Sequence, residues 1–302
     1  MAVDDISFTI GDGEIVGYIG SNGAGKSTTI KMMTGILHPT SGEILVNGID
    51  PSKNRKENAA NIGVVFGQRT QLWWDLPLSE SFTILKEIYD VSDEDYKSRM
   101  AFLQEVLELQ EFFDRPVRTL SLGQRMRADL GAALLHNPKV LYLDEPTIGL
   151  DIVVKDNIRK AIHRINREQN TTVILTTHDM GDIEELCSRI IIIDEGRKIY
   201  DGTPEHLREA FGSHCILRAE VSRPPEQALY RLLGVEPQDC IAQYDAKSKV
   251  LEIRFDKNKL HVPQILQQVM GQTDVTDVHI VETDLSQIVK EIYTHGLSEG
   301  RE

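Results

Sequence analysis

Residues 20–28 of this 302-residue chain read GSNGAGKST and comprise Gly20, Ser21, Asn22, Gly23, Ala24, Gly25, Lys26, Ser27 and Thr28. The apolar, strand-like segment 15–19 precedes this stretch, and a helix-compatible segment, TIKMMTG, follows it. Strand, glycine-rich loop and helix come in the order of a phosphate-binding loop (P-loop), whose glycines let successive backbone N–H groups point into one concavity. This order predicts an α/β fold that binds a phosphate group at the loop.

The side chains of the loop fit the same interpretation. The start of the following helix adds positive potential, and Lys26 supplies a point charge for the outer phosphates of a nucleotide. The hydroxyl of Ser27 can complete the coordination shell of Mg²⁺. An ordinary glycine turn that caps a helix is the alternative, and the position directly after an apolar strand disfavours it. By itself, the loop indicates an NTPase or a kinase.

An acidic motif lies at residues 139–151, which read KVLYLDEPTIGLD. Residues 140–143 form a continuous apolar run, as expected for a strand buried on both faces, and Asp144 falls at its carboxyl end, where ligands of open α/β sheets bind. We expect Asp144 to hold Mg²⁺, directly or through water. Glu145 can orient or deprotonate an attacking water, a role worth about two to four powers of ten in rate. A strand-end turn without chemistry is the alternative.

A third motif, LSLGQ at residues 120–124, lies between the other two. Ser121 followed three residues later by Gln124 forms a capping box, the signature of a helix start. With these motifs in this order, the chain resembles the nucleotide-binding subunits of ATP-binding cassette (ABC) transporters over about residues 1–210. In that family the start of this helix faces the γ-phosphate of ATP bound to the opposite subunit. The resemblance therefore implies nucleotide contacts in trans from Ser121, Gly123 and Gln124.

The resemblance implies further site residues. The segment TTHD brings His178 to the γ-phosphate, and His178 also follows a strand-like run whose carboxyl end lies on the ligand side of the sheet. The segment GLD, ending at Asp151, corresponds to the family's Asp loop. Gln68 is expected to contact the metal and the attacking water. Gln71 is the alternative, because Gly67 intervenes between the apolar strand end and Gln68.

Two departures from the family pattern stand out. Leu122 occupies a signature position that is usually glycine, which leaves Ser121, Gly123 and Gln124 in place. The family also has a strand with an adenine-stacking aromatic residue some twenty or more positions before the P-loop, and this sequence begins too close to Gly20 to include it. Either the start is truncated, or other residues hold the adenine.

The fold class expected is α/β: a P-loop ABC ATPase core with an antiparallel β subdomain and a helical signature subdomain, followed by a small C-terminal α+β domain. Residues 5–10 alternate like a strand, and residues 40–51 read as a hairpin with a type I′ turn at Asn47-Gly48. Helical periodicity covers about residues 79–136. We assign 1–212 to the ATPase domain and 213–302 to the accessory domain. The accessory domain is predicted to contain strands 215–221, 249–255 and 275–281 and helices 225–233, 262–270 and 284–294.

Composition restricts the partners. The chain has 47 acidic and 33 basic residues, a formal charge of −14, which argues against nucleic acid or an anionic lipid surface as the main partner. No apolar run approaches the roughly 18 residues of a membrane-spanning helix, and the start lacks a signal-peptide pattern. We therefore expect a cytosolic protein whose attachment to a membrane goes through another protein.

The function expected is that of the ATP-binding and hydrolysing subunit of an ABC transporter, working with Mg²⁺, a second nucleotide-binding subunit and separate membrane permease subunits. The C-terminal region resembles the extensions of drug- and polysaccharide-exporter cassettes, which favours export. A soluble ABC ATPase that acts on ribosomes or nucleic acid is the alternative. A P-loop kinase or GTPase would leave LSLGQ and His178 without a role.

The two tryptophans of the chain, Trp73 and Trp74, are adjacent, within a polar segment that follows Gln68. By family resemblance this segment lies at the groove where a helix of the membrane partner docks. Aromatic side chains are favoured at the centres of interfaces, so we expect at least one ring to face the permease. Packing at the junction between subdomains is the alternative.

Overall fold

The computed structural model describes residues 2–67, 69–211, 214–257, 259–282 and 284–295. The chain divides into two compact units, Met1–Thr203 and Pro204–Glu302. The boundary between 212 and 213 that the sequence suggested lies outside the described residues. Within the described ranges, no helix has both the length and the apolar character needed to cross a membrane.

A six-stranded sheet forms the centre of the first unit. Its strands are β1 (Ile15–Gly20), β2 (Ile62–Phe66), β3 (Val140–Asp144), β4 (Thr172–Thr176), β5 (Arg189–Asp194) and β6 (Arg197–Gly202). Their spatial order is β2-β3-β4-β1-β5-β6, and all neighbours are parallel except β5 and β6. The inner strands β1 and β4 are buried along their whole length, which explains their continuous apolar runs.

The register of the sheet brings the motif-bearing strand ends together. Asp144 at the end of β3 pairs with Phe66 of β2 on one side and with Thr176 of β4 on the other. Gly20, at the end of β1, pairs with Ile193 of β5. Because the strands are parallel, the P-loop, the acidic pair and the segment that carries His178 all leave the sheet at the same edge.

Helices surround this sheet and form the region that carries LSLGQ. They are α1 (Lys26–Met33), α2 (Arg55–Asn61), α3 (Leu78–Ile88), α4 (Asp93–Leu107), α5 (Leu122–Leu134), α6 (Ile152–Gln169) and α7 (Met180–Leu186). Helices α3 to α5 occupy the stretch in which the sequence predicted helical periodicity. Ser92 accepts a hydrogen bond from the backbone N–H of Asp95 and so caps α4.

The antiparallel part of this unit is smaller than the sequence suggested. The prediction of a strand at residues 5–10, all of them described, is wrong: their apolar side chains pack against the core, and no ladder forms. In the predicted hairpin at 40–51, only Val46 and Ile49 pair, around Asn47 and Gly48. Both turn residues have positive φ, 50° and 77°, as a type I′ turn requires.

The second unit is an α+β structure. It contains α8 (Pro204–Phe211), β7 (His214–Val221), α9 (Leu229–Leu233), β8 (Cys240–Asp245), β9 (Val250–Asp256), α10 (Val262–Met270), β10 (Val275–Glu282) and α11 (Leu285–His295). The strands form an antiparallel sheet in the order β10-β7-β9-β8. The predicted α+β character is confirmed, although β8 was not predicted and α9 begins at Leu229 rather than at residue 225. Apolar residues of β7 and β9 pack against Ile265 and Val269 of α10.

Candidate active site

The P-loop owes its shape to glycines that no other residue could replace without strain or collision. Gly23 and Gly25 have φ angles of 88° and 107°, values that side-chain-bearing residues rarely adopt. A Cβ atom on Gly25 would lie 2.4 Å from the backbone oxygen of Ala2, and one on Gly20 would lie 2.6 Å from that of Ile193. The loop therefore leaves β1 tightly packed at its base and enters α1 at Lys26.

Lys26 is held over the loop by the loop itself. Its Nζ donates to the backbone oxygens of Gly20 at 2.5 Å and Ser21 at 3.0 Å. Ser21 in turn donates from Oγ to Asp194 Oδ1 at 2.6 Å, which ties the loop to the end of β5. Burial lowers the pKa of Lys26, whereas the neighbouring carboxylates Glu145 and Asp144 act in the opposite direction. The ammonium group of Lys26 is thus held at the P-loop, where the sequence predicts that the outer phosphates of a nucleotide bind.

The acidic pair is fixed from the neighbouring strand. Asp144 Oδ1 accepts a hydrogen bond from Thr176 Oγ1 at 2.5 Å, and the backbone N–H of Glu145 donates to the backbone oxygen of Thr176 at 2.9 Å. Glu145 has a φ of 56°, the left-handed conformation that non-glycine residues seldom adopt outside turns and functional sites. Thr176 therefore positions the Asp144 carboxylate and the backbone of Glu145, a role that the sequence did not predict.

His178 lies directly against Glu145. Its Nε2 is 3.4 Å from Glu145 Oε1, and its backbone N–H donates to Glu145 Oε2 at 3.4 Å. Burial raises the pKa of Glu145, an effect that the proximity of His178 partly offsets. A carboxylate with a raised pKa is suited to accept a proton from water.

A cavity of about 340 Å³ joins these groups, and it is lined by Asn22, Gly23, Gly25, Lys26, Ser27, Thr28, Asp144, Glu145 and His178. The structure thus brings six of the nine predicted P-loop residues together with the predicted acidic and histidine residues, whereas Gly20, Ser21 and Ala24 do not line the cavity. Loop amides, a lysine, a hydroxyl and a carboxylate pair around one cavity define a P-loop nucleoside-triphosphate hydrolase.

The cavity also offers oxygen ligands that fit Mg²⁺. Ser27 supplies a hydroxyl and Asp144 a carboxylate, and Mg²⁺ prefers such ligands together with phosphates and waters. Across the ranges that the structure describes, no group of three or more His, Cys, Asp or Glu side chains could hold a metal alone. This donor set agrees with a metal that arrives with the nucleotide.

Gln68, the third predicted catalytic residue, lies outside the described residues. On one side of it, Gly67 donates from its backbone N–H to the backbone oxygen of Asp144 at 2.8 Å. On the other side, Arg69 donates from its backbone N–H to Phe66 O at 2.9 Å. The alternative, Gln71, directs its side-chain Nε2 to the backbone oxygen of Asp129, 3.3 Å away.

The LSLGQ segment forms a separate surface at the start of α5. Ser121 Oγ accepts from the backbone N–H of Gln124 at 3.2 Å, and the side chain of Gln124 accepts from the backbone N–H of Ser121 at 3.0 Å. This confirms the predicted capping box. A Cβ on Gly123 would lie 2.7 Å from Val154 Cγ1, so α5 begins in close contact with α6. The predicted residues Ser121, Gly123 and Gln124 do not line the cavity that holds Glu145.

A buried carboxylate that the sequence did not reveal connects the elements around the site. Asp182 on α7 accepts from Thr147 Oγ1, from Thr177 Oγ1 at 2.9 Å and from Arg159 Nε at 2.8 Å. It is fully buried. The segment after Glu145, helix α6 and the loop before His178 are therefore bound to one side chain.

Comparisons with known proteins agree with this geometry. Residues 3–148 match the family model described as ABC transporter. The ABC transporter ATP-binding protein NatA of Bacillus subtilis (strain 168) is 36% identical over 209 residues, covering 69% of this chain and 85% of NatA. The linearmycin resistance ATP-binding protein LnrL of the same strain is 31% identical over 285 residues, covering 94% of this chain and 89% of LnrL.

A solved structure extends the comparison to the fold. The dimeric structure of the ATP-binding cassette MJ0796 in a post-hydrolysis state, bound to ADP and Pi, matches with a TM-score of 0.59 and 28% identity. The match covers 67% of this chain and 90% of that one. The chain belongs to the ATP-binding proteins of ABC transporters. It has the ABC cassette fold and is an ATP hydrolase of that family, whose cassettes form dimers.

Proposed function

We propose that this chain is the ATP-hydrolysing subunit of a transporter whose membrane-spanning permease subunits are separate chains, and that it powers export. In this proposal the chain lies on the cytoplasmic face of the membrane, held there by the permease. The observation that carries the proposal is the pair of exposed tryptophans beside the signature helix α5, in a chain that belongs to a transporter family.

The chemistry assigned to the chain uses the groups around the cavity. Lys26 neutralises the outer phosphates, and the backbone N–H groups of the P-loop hold them. When bound, Mg²⁺ would be held by Ser27 and Asp144 and would stabilise negative charge on the phosphates. Glu145 accepts the proton of the attacking water, and His178 contacts the γ-phosphate. Gln68 is assigned to the metal and the water by family resemblance.

Two chains are needed for a complete site in this proposal. The segment Ser121 to Gln124 starts a helix, and its N–H groups and dipole favour a phosphate. Because this segment lies away from the cavity of its own chain, its ligand would be the γ-phosphate held by the P-loop of a second subunit. The partner is a second copy or a paired nucleotide-binding subunit, and neither nucleic acid nor lipid is required.

The exposure of Trp73 and Trp74 supports contact with the permease. Trp73 is 37% exposed and Trp74 is 47% exposed, so neither side chain belongs to the core. Arg125 of α5 lies over the ring of Trp74, 4.6 Å from its centroid, and the backbone oxygen of Trp74 accepts from Arg118 N–H at 2.9 Å. The ring is thus held in place beside the signature helix while one face remains available to a partner. Packing of the subdomain junction alone would leave these rings more deeply covered.

The direction of transport is proposed from the similarity to LnrL. That protein is named for resistance to linearmycin, and its match covers 94% of this chain, so it extends through most of the second unit as well as the cassette. Resistance is consistent with removal of a compound from the cell.

Reconstitution tests the proposal. The chain, combined in inside-out vesicles with candidate permease subunits, should drive ATP-dependent uptake into the lumen, which corresponds to export. Glu145→Gln should lower both ATP hydrolysis and uptake by about 10² to 10⁴-fold, because it removes the proton acceptor while preserving the shape of the side chain. Hydrolysis by Glu145→Gln at the wild-type rate would show that Glu145 is not the base. Association with ribosomes or nucleic acid instead of any permease would support the alternative function.

A further inference from the structure

Asp129 is a buried carboxylate for which the catalytic mechanism has no use. It lies on the third turn of α5, the helix that LSLGQ begins, and only 6% of its surface is exposed. A buried carboxylate is costly unless hydrogen bonds compensate for its loss of solvation. Its partners therefore show what the residue holds in place.

Those partners belong to the segment that follows Gln68. Asp129 Oδ1 accepts from Thr70 Oγ1 at 2.8 Å and from the backbone N–H of Gln71 at 3.2 Å. The backbone oxygen of Asp129 accepts from the side chain of Gln71 at 3.3 Å. One residue of α5 thus makes three hydrogen bonds to two consecutive residues of the loop, and two of them go to a single carboxylate oxygen.

The same loop is also fixed at its other end. The backbone N–H of Gly67 donates to the backbone oxygen of Asp144, beside the nucleotide cavity. Gly67 is therefore bound beside the proposed metal-binding carboxylate of this chain, and Thr70 and Gln71 are bound to the helix whose start is offered to the second chain. Arg125, one turn before Asp129 on α5, stacks on Trp74 and adds a contact on the outer side.

We propose that Asp129 is a positioning residue that fastens the loop after Gln68 to the signature helix, so that a chain's own ATP site and the segment it presents to its partner's ATP move together. This rests on the proposed trans arrangement of two chains. The expected consequence is cooperativity between the two ATP sites, because a change at one site is passed through a rigid hydrogen-bonded link to the other.

The test is the ATP dependence of hydrolysis by purified full-length protein, measured with the midpoint of thermal unfolding and with ATP affinity in the absence of turnover. The wild type should show a Hill coefficient clearly above 1, up to about 2 for two sites. Asp129→Ala should lower kcat and bring the Hill coefficient to about 1, with ATP affinity unchanged because the P-loop is intact. Asp129→Asn keeps an oxygen that can accept from Thr70 and Gln71, so it should retain cooperativity.

Two further variants separate positioning from general stability. Asp156→Ala removes a half-exposed carboxylate on α6 that pairs with Lys160, and it should leave the Hill coefficient unchanged. Thr70→Val removes one donor to Asp129 without changing the size of the side chain, and it should reduce cooperativity in the same direction as Asp129→Ala. If Asp129→Ala does not fold, the Hill coefficients of Thr70→Val and Asp129→Asn decide whether Asp129 positions the loop.

The outcomes are distinct. A wild-type Hill coefficient with Asp129→Ala or Thr70→Val, whether or not the thermal midpoint falls, would overturn the inference and leave the proposed ATPase intact. A wild-type protein that hydrolyses ATP as an independent monomer would overturn the trans arrangement and the inference with it. Loss of cooperativity in both Asp129→Ala and Thr70→Val, with Asp129→Asn and Asp156→Ala unaffected, would support the inference.

Discussion

The starts of helices α1 and α5 both offer positive potential to a phosphate, but the chain surrounds them differently. The start of α1 follows glycines with positive φ and carries Lys26, and the same cavity contains Glu145 and His178. The start of α5 is closed by its own capping box, between Ser121 and Gln124. In the proposed function, the first is an ATP site with its catalytic residues beside it, and the second is a phosphate-binding surface without them.

In the proposed function, this difference is the reason that a complete site needs a second chain. A helix start has up to four N–H groups with no acceptor within the helix, and the Ser121 cap satisfies that of Gln124. The remaining first-turn N–H groups can serve an external ligand. In the proposed dimer, each chain would contribute its α1 site to one nucleotide and its α5 start to the other.

The largest expected effects come from substitutions that impair one helix start and leave the other intact. Lys26→Ala should weaken ATP binding and lower hydrolysis by roughly 10² to 10³-fold, since it removes a preorganised charge from the phosphate site. Ser121→Asp should abolish cooperative hydrolysis while ATP binding stays intact. Aspartate caps a helix as well as serine does, but its charge repels a phosphate, so the helix is preserved and its ligand is not. Fluorescent-nucleotide binding and steady-state ATPase assays measure both.

Ser92→Asp is the matched control for this comparison. Like Ser121, Ser92 accepts a hydrogen bond from the backbone N–H three residues further on, although it lacks the reciprocal side-chain bond of a capping box. The control should leave binding and hydrolysis at wild-type levels. If Ser121→Asp weakened ATP binding by the isolated monomer as much as Lys26→Ala, the two helix starts of one chain would serve the same nucleotide.

A smaller effect tests the comparison through pH. The side chain that joins α5 to Thr70 and Gln71 is that of Asp129, which is ionisable. Burial raises the pKa of Asp129 to about 6, although its hydrogen bonds to Thr70 and Gln71 and the charge of Arg125 oppose this. An aspartate in an unfolded chain titrates near 3.9. Because the folded pKa is the higher one, the stabilising contribution of this group is fully present below about pH 4 and is lost as pH rises through about 6.

Asp129→Asn should remove this dependence. The difference in unfolding free energy between wild type and variant should therefore change between about pH 4 and pH 7 by up to about 3 kcal/mol, at 1.36 kcal/mol for each unit of pKa. Denaturant unfolding at a series of pH values measures it. A difference that stays constant over this range would show that folding does not raise the pKa of Asp129.

The smallest effect concerns the surface beside α5. Trp74→Ala should weaken association with the permease by about 2 kcal/mol, close to thirtyfold in Kd, because truncation of an anchoring aromatic ring typically costs that much. Basal ATP binding should be unchanged, since the P-loop is separate. Co-purification from membranes that contain the permease, together with thermal unfolding, distinguishes lost docking from lost folding. A lower thermal midpoint with unchanged association would assign Trp74 to packing.

The groups at the sheet edge could be predicted from the sequence because buried parallel strands have recognisable apolar runs. Asp144 directly ends such a run, Glu145 follows it, and His178 lies just beyond another, so their positions follow once the strands are recognised. Thr176 and Asp129 could not be found in this way. Each acts through a partner distant in sequence, 32 residues away for Thr176 and Asp144 and 59 for Thr70 and Asp129.

Alternation of apolar and polar residues led to a wrong strand prediction, because such a segment can bury its apolar side chains without joining a sheet. Residues 5–10 alternate apolar and polar side chains, but the apolar ones fill the core beside Tyr18 without a strand partner. Period-two patterning shows that one face is buried and does not show whether a neighbouring strand is available. The short strand β8 shows the reverse case, a strand without a clear alternating pattern. It lies at the edge of the sheet, and most of its side chains are exposed.

The most direct test of the trans arrangement is complementation between two impaired chains. Lys26→Ala lacks a working α1 site but keeps its signature, and Ser121→Asp keeps its α1 site but offers a repelling signature. Mixed together with ATP and Mg²⁺, they can form a dimer in which one site has both an intact Lys26 and an intact Ser121. We expect the mixture to recover part of the wild-type ATPase activity, above the sum of the two variants measured alone. Activity equal to that sum, under conditions in which mixed dimers are shown to form, would contradict the account.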